Sequence, residues 1–385
     1  MTDQEAEDVA LRLLHTADWH LGRQFPGFAD ADRDKLLRAR YDVLDRILLA
    51  AEHHRVDAIL CAGDLFEEPN LDAEWWEPLA KKLRAMAEPR PTFLLPGNHD
   101  PLQPGSVYHP EHAFRRALPP WVHVVDRDDF TYALNDAAVL HATPCRSRAG
   151  QDDPALALPA RGPGDDRIRI GLVHGSTFDA PGYQLNFPIA KDAAARRGFD
   201  YLAIGDTHSF REVPPGGRPP VVYSGAPEAT TFDEPGAGNV VIVFVSRDRR
   251  VRFRAEPVGA WTWADRTARS LGELRAICLE PHLARTVLRL RVDLRGTADE
   301  LEEAEARLRE LQGTRQAPGR AGILRFEERR LDLDTQGLEL LLGDLPPVLR
   351  DTVERLKALE GTAQQPLASL ALRHLYRLVR DGAVP

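Results

Sequence analysis

Five short apolar runs, each ending in side chains able to bind a metal ion, constrain this chain more than anything else in it. The runs lie at residues 11–14, 58–61, 92–95, 168–173 and 201–204, and each reads as a short buried strand. The first is followed by Asp18-Trp19-His20-Leu21-Gly22 and the second by Gly63-Asp64-Leu65-Phe66. The third leads into Gly97-Asn98-His99-Asp100, the fourth into His174-Gly175 and the fifth into Gly205-Asp206-Thr207-His208. Between the first two runs, Leu36, Leu37, Val43, Leu44, Ile47 and Leu48 predict a helix over 32–53, and a second helix is predicted over 71–86. Such strand–helix alternation predicts an α/β domain. In an open α/β sheet the C-terminal strand ends share one edge, where ligands bind. Polar groups spread from residue 18 to residue 208 are therefore expected at one site.

Carboxylates, imidazoles and an amide oxygen suit divalent cations such as Mn, Mg, Fe or Zn. A carboxylate can bridge two ions, and paired ions can bind both the attacking and the leaving oxygen of a phosphoryl centre. A lone Asp-x-His is common, and Gly-Asp after a strand is usually only a turn. Five such groups in order, each at a strand end, point to a metal site. His15, His123 and His141 fall outside this pattern and read as structural or exposed; Cys61 reads as core.

Composition narrows the classes. At 385 residues the chain has room for two or three domains. Fifty basic against 59 acidic residues give a formal charge of −9, which argues against binding nucleic acid by bulk charge alone. It does not exclude a nuclease whose bound cations offset that charge. Cys61, Cys145 and Cys278 form no CxxC pair, so neither a disulfide scaffold nor a cysteine–zinc site is expected, and a reducing cytoplasm fits. No apolar run is long enough for a transmembrane helix, and residues 1–8 are too acidic for a signal peptide.

Further along, residues 221–224, 240–245 and 250–254 read as strands, the last two joined by a turn at 246–249. Residues 151–166 and 213–220 read as surface loops. A second region begins within 261–285. It continues with a half-buried strand over 288–294 and a capping box from Thr297 to Glu300. A helical face of Leu301, Ala304, Leu308 and Leu311 follows, then a strand over 323–333 and helices over 348–359 and 367–379.

The five motifs resemble those of the calcineurin-like metallophosphoesterase superfamily. The run from Leu14 to Gly22, with Gly63-Asp64-Leu65-Phe66, Gly97-Asn98-His99-Asp100 and Tyr223-Ser224-Gly225, is most similar to the SbcD-type DNA repair exonucleases. This implies a metallophosphoesterase-type β-sandwich flanked by helices over residues 10–262. A small α+β capping domain (263–345) and C-terminal helices (346–385) would follow. It also implies two divalent metal ions, with Mn favoured and Mg or Fe as alternatives. Asp18, His20, Asp64 and His208 would hold one ion, with Asp64 bridging. Asn98, His174 and Asp206 would complete the second. His99 would stabilise the transition state or protonate the leaving group, and a metal-bound hydroxide would attack phosphorus. The family usually has histidine where this chain has Asp206, which either ligates through oxygen and favours harder ions or weakens the second site.

The implied function is that of the nuclease component of an SbcCD-type DNA repair complex, cytoplasmic and nucleoid-associated when on DNA. Its partners would be DNA ends, an SbcC-type coiled-coil ATPase and a second copy of itself. Leu367, Leu370, Leu375 and Leu378 would offer a docking face or close the chain's own cap. Arg23 and Arg252, the latter alternating with Arg250 and Arg254, are candidate DNA contacts, with an exposed loop and a solvated edge strand as the alternatives. Trp75 and Trp76 would stack or pack. A phosphatase or small-molecule phosphodiesterase, and a DNA-end scaffold with catalysis weakened at Asp206, are the competing functions.

Overall fold

The computed structural model describes residues 8–177, 186–313, 320–333, 346–359 and 361–380. The chain divides into two units, residues 1–261 and 262–385.

In the first unit the strands are β1 (Val9–Thr16), β2 (Ala58–Cys61), β3 (Thr92–Leu94), β4 (Val122–Val124), β5 (Phe130–Asn135) and β6 (Ala138–Ala142). They continue with β7 (Ile168–His174), β8 (Tyr201–Gly205), β9 (Arg211–Glu212), β10 (Val221–Tyr223), β11 (Asn239–Ser246) and β12 (Val251–Pro257). Helices α1 (Asp30–His53), α2 (Ala73–Arg84) and α3 (Ala113–Ala117) belong to the first half of the unit, and the short α4 (Pro154–Ala157) and α5 (Ala193–Arg197) to the second.

These strands form two six-stranded sheets, ordered β12-β11-β1-β2-β3-β4 and β5-β6-β7-β8-β10-β9. The one-edge arrangement expected of a single open sheet is therefore corrected. The β5–β6 hairpin after β4 starts a second sheet, and β7 and β8 pair onto it instead of extending the first. Strand alternation explains why the two sheets stack. Leu11 and Leu13 of β1 and Leu60 of β2 pack against Leu140, Ile170, Leu172 and Val222 of the second sheet. Leu14, Ile59 and Cys61 turn the other way, onto Val43, Leu44 and Ile47 of α1 and Leu79 of α2. Cys61 is thus core, as is Trp76. The outer face of the second sheet is covered by Ala155, Ala193, Ala194 and Phe199. The result is a sandwich with helices on both outer faces.

The second unit contains β13 (Thr262–Ala268), α6 (Leu271–Cys278), β14 (Thr286–Gly296), α7 (Ala298–Gln312), β15 (Ile323–Leu333), α8 (Pro347–Lys357) and α9 (Gln365–Arg380). Its three strands run parallel in the order β13-β14-β15, so each crossover carries a helix. The Thr297–Glu300 capping box is formed. The expected α7 face, Leu301, Ala304, Leu308 and Leu311, is fully buried. Residues 334–345 of the expected capping domain lie outside the described residues. Helices α8 and α9 place Val353, Leu372 and Leu375 on this same core. Leu367, Leu370 and Leu378 remain exposed at 70, 40 and 47%. No helix among the described residues is long and apolar enough to cross a membrane.

Candidate metal centre

The strand ends of both sheets meet. Beyond β1 and β2 the backbone stays paired: Asp18 N–H donates to Gly63 O at 3.0 Å and His20 N–H to Asp64 O at 3.0 Å. Two bonds then cross from one sheet to the other. The Asp206 N–H donates to the Asp18 carboxylate at 3.1 Å, and His174 Nδ1 lies 2.8 Å from Ala62 O. Asp18, His20, Asp64 and Asp206 have positive φ angles of 56, 44, 54 and 110°. Such values are uncommon outside glycine, and this clustering of strain is characteristic of functional sites. Glycine is required at two neighbouring turns. A Cβ on Gly63, itself at φ +94°, would lie 2.2 Å from His174 Nδ1, and one on Gly97 would lie 2.2 Å from Asp64 Oδ1.

The predicted ligands come together. Three groups, Asp18–His20–His208, His20–Asp64–His99 and Asp18–Asp64–His174, each bring their ligand atoms within 4.8 Å of one another. Asn98 joins through Oδ1, 2.7 Å from His174 Nε2, and Asp206 through Oδ1, 4.0 Å from the same nitrogen. Asp18, His20, Asp64 and His174 are buried. His99 is half-buried; its N–H donates to Asp64 Oδ1 at 2.9 Å, and its ring meets that of His20 edge-on at 4.8 Å. Arg23 reaches the rim, with its guanidinium 3.5 Å from Glu67. Arg252 is not brought to this cluster: it pairs across from Phe244, which pairs with Arg12 in the middle of β1, four residues before Thr16.

Several partners carry no motif of their own. Glu67 accepts from His20 Nδ1 at 2.9 Å and Glu234 from His208 Nδ1 at 2.6 Å. Glu67 stands three residues after Asp64, so its position was a usable signal; Glu234 lies in no pattern. Asp100 holds the third turn, accepting from Gly97 N, Phe66 N and Tyr108 OH at 2.8, 2.9 and 2.7 Å. Ser176 Oγ donates to Asp206 Oδ2 at 2.5 Å. Buried Arg40 of α1 donates to Trp19 O at 3.0 Å through Nε and to Glu228 O at 3.3 Å, fixing the turn between Asp18 and His20.

These contacts set the tautomers. His20 and His208 give their Nδ1 protons to carboxylates, and His174 gives its own to a carbonyl. In the neutral rings of His20 and His208 each Nε2 therefore carries the lone pair. Yet His20 Nε2 faces His208 Nε2 at 3.0 Å, and His174 Nε2 faces the oxygens of Asn98 and, at 3.4 Å, Asp64. On the His20–His208 side acceptor faces acceptor, which is the arrangement a cation satisfies, while at His174, against its burial, Asp64, Asp18 and Asp206 raise the ring to about 10, so its Nε2 holds a proton toward those oxygens. Charge points the same way. Burial raises Asp18 to about 7 and pushes Asp206 upward, so the surroundings alone do not hold both groups as free carboxylates, as a bound cation would. Burial opposes ionisation of Asp64 as well, but His174 and His20 hold it below the ordinary carboxylate range. Against the same burial, hydrogen bonds from His20 and His208 hold Glu67 and Glu234 down at about 2. The donor set fits divalent cations, with orienting carboxylates behind the imidazoles.

Comparison with known proteins agrees with this chemistry. The calcineurin-like phosphoesterase family profile matches residues 11–210. An uncharacterized metallophosphoesterase, YhaO of Bacillus subtilis, is 28% identical over 61% of this chain and 58% of its own length. The SbcD component of the SbcCD nuclease of Rhodobacter capsulatus is 34% identical over 43% of this chain and 39% of its own. Its counterpart from Escherichia coli is 28% identical over 60 and 64%. The chain thus matches less than two thirds of each relative's length.

Proposed function

We propose that this chain, which belongs to the calcineurin-like phosphoesterase family and is a metal-dependent phosphoesterase, hydrolyses phosphodiester bonds at DNA ends as the nuclease component of an SbcCD-type repair complex. The single observation that carries the chemistry is the set of three imidazoles, His20, His174 and His208, whose Nε2 atoms converge on one another and on the oxygens of Asn98 and Asp64. The choice of DNA is supported by the relatives named as SbcCD nuclease components and by the additional unit at residues 262–385.

Asp18, His20 and His208 would hold one cation and Asn98, His174 and Asp206 a second, with Asp64 shared. Bound divalent cations supply Lewis-acid stabilisation of phosphoryl oxygens and acidify water enough to furnish a nucleophile near neutral pH. The oxygen donors Asp18, Asp64, Asn98 and Asp206 favour manganese. Glu67 and Glu234 orient the imidazoles, and the His99 N–H orients Asp64. The His99 ring, half-buried beside His20, donates the proton to the departing oxygen. Arg23 at the rim contacts the flanking phosphate. The exposed leucines of α9 dock a coiled-coil ATPase, and the phosphoesterase unit pairs with a second copy. The protein works in the cytoplasm, on the nucleoid when bound to DNA, where buried Cys61, Cys145 and Cys278 stay reduced.

The test is manganese-dependent degradation of end-labelled linear DNA by the purified chain, with Asp64→Ala alongside. Label loss with the wild type alone is expected. Hydrolysis of a chromogenic monoester without attack on DNA would replace this reading with a phosphatase.

A further inference from the structure

We propose that a cationic groove at the end of the first sheet remote from the metal ligands binds the phosphate backbone of DNA; this rests on the nuclease reading above. Two adjoining cavities share Arg252. The wider, about 870 Å³, is lined by Arg218, Arg249 and Arg250 as well. The other, about 440 Å³, adds Arg12, Arg55 and Arg254, with Phe244 and Phe253 in its wall and His53 and His54 beside them. Seven arginines thus line the two cavities, against two lining carboxylates, Asp8 and Asp200, with Asp57, Glu212, Asp248 and Glu256 beside them. In a chain of formal charge −9 even this small excess of arginine is a local reversal of sign, and phosphate contacts made by arginine supply sequence-independent affinity for DNA.

The strand register gives the groove its spacing. Arg12, Phe244 and Arg252 form one row across β1, β11 and β12, and Arg254 stands two residues further along, opposite Ile242. Residues i and i+2 project from the same face about 6.8 Å apart. That is about twice the 3.4 Å axial rise per nucleotide of one DNA strand. Arg252 and Arg254 are exposed, and Phe244, beside Arg252 on the same face, is half-buried, so apolar surface adjoins the guanidinium groups. Nearby carboxylates hold some of these cations. Glu256 lies 3.4 Å from both Arg254 and His54, Asp248 2.6 Å from Arg250, and Glu212 3.2 Å from Arg218. Asp200 is already bound by Arg161 and the Arg169 N–H, and Asp57 accepts from the Arg12 N–H. Exposed ion pairs of this kind are weak and exchange readily for phosphate. Arg12 lies four residues before Thr16, about 13 Å along the strand from the edge that leads to the ligands. A strand end held at the metal centre therefore has a second anchor a few nucleotides away.

The experiment uses the full chain in three forms: wild type, R252E/R254E, and R127E/R146E as a control of equal charge change on other exposed arginines. Binding of a fluorescent DNA duplex is read by anisotropy across a salt series in chelator, and manganese-dependent hydrolysis of a chromogenic diester is read separately. R252E/R254E is expected to bind at least tenfold more weakly and to lower the slope of log K against log salt by about 2, roughly 0.9 per lost phosphate contact. Its diester hydrolysis should match the wild type. Wild-type affinity in R252E/R254E, equal losses in the control, or a groove that takes inorganic triphosphate but no duplex each overturns the proposal. Duplex binding through these arginines by a wild type that leaves end-labelled DNA intact would overturn the nuclease reading alone.

Discussion

His20 and His208 face each other Nε2 to Nε2 at 3.0 Å, and each ring is held from behind by a glutamate, Glu67 or Glu234. The two glutamates fix the tautomers, and the tautomers leave two lone pairs aimed at one point. Replacing Glu234 with Gln keeps its shape but weakens the grip on the His208 Nδ1 proton. Affinity for manganese, measured by calorimetry, should fall by about 10- to 100-fold. Unchanged affinity would mean that Glu234 serves the Thr230 loop alone, where it also accepts from the Thr230 N–H at 2.6 Å.

Asp64 touches both halves of the site, through His20 on one side and His174 on the other. Asp64→Ala should reduce hydrolysis of a chromogenic diester by more than the roughly 100-fold upper bound for an orienting residue. It should also lower manganese stoichiometry from two ions per chain. Loss of activity with two ions still bound would refute the bridging role.

Asp206 stands where the family resemblance implies an imidazole. Wild type should bind two manganese ions per chain, and Asp206→His should shift relative affinity toward zinc. A wild type that binds a single ion would favour the scaffold function with weakened catalysis.

At Gly97 a Cβ would meet not only Asp64 Oδ1 but also the Asp64 backbone nitrogen, at 2.4 Å. Backbone cannot step aside as a flexible side chain can. Gly97→Ala should cost about 1–3 kcal/mol or more, read from the denaturant midpoint, and should weaken metal binding with it.

His15 gives a pH signature of folding. Burial pushes its pKa down to about 3 from 6.5, so the folded state holds it neutral while the unfolded chain protonates it. Its contribution to stability is complete above about 6.5 and is lost as pH falls toward 3, at up to about 1.4 kcal/mol per pH unit. A His15→Gln variant should show a shallower decline across that window. An identical slope would assign the acid sensitivity to other groups.

The side chains that gather in the cluster were legible in the sequence, because each sits directly after a strand and strand ends are where local pattern and geometry coincide. That the ends belong to two sheets was hidden from the residue pattern, and only the family resemblance implied a sandwich. Leu13 and Ile170 carry no mark saying which sheet they join, and only the β5–β6 hairpin, unread in the sequence, decides it. Glu234 was equally silent, since it meets His208 across 26 residues of loop and strand that no periodicity connects. Strand β13 was missed for a different reason: its burial follows no two-residue rhythm.

The crossing of the ligand set from one sheet to the other has a consequence for the chain during its own synthesis. Asp18, His20, Asp64 and Asn98 leave the ribosome long before His174, Asp206 and His208, and β1 gains its β11 neighbour only once residue 246 has emerged. A growing chain therefore lacks half of the cluster until most of its first unit exists, and a prematurely terminated one never assembles it.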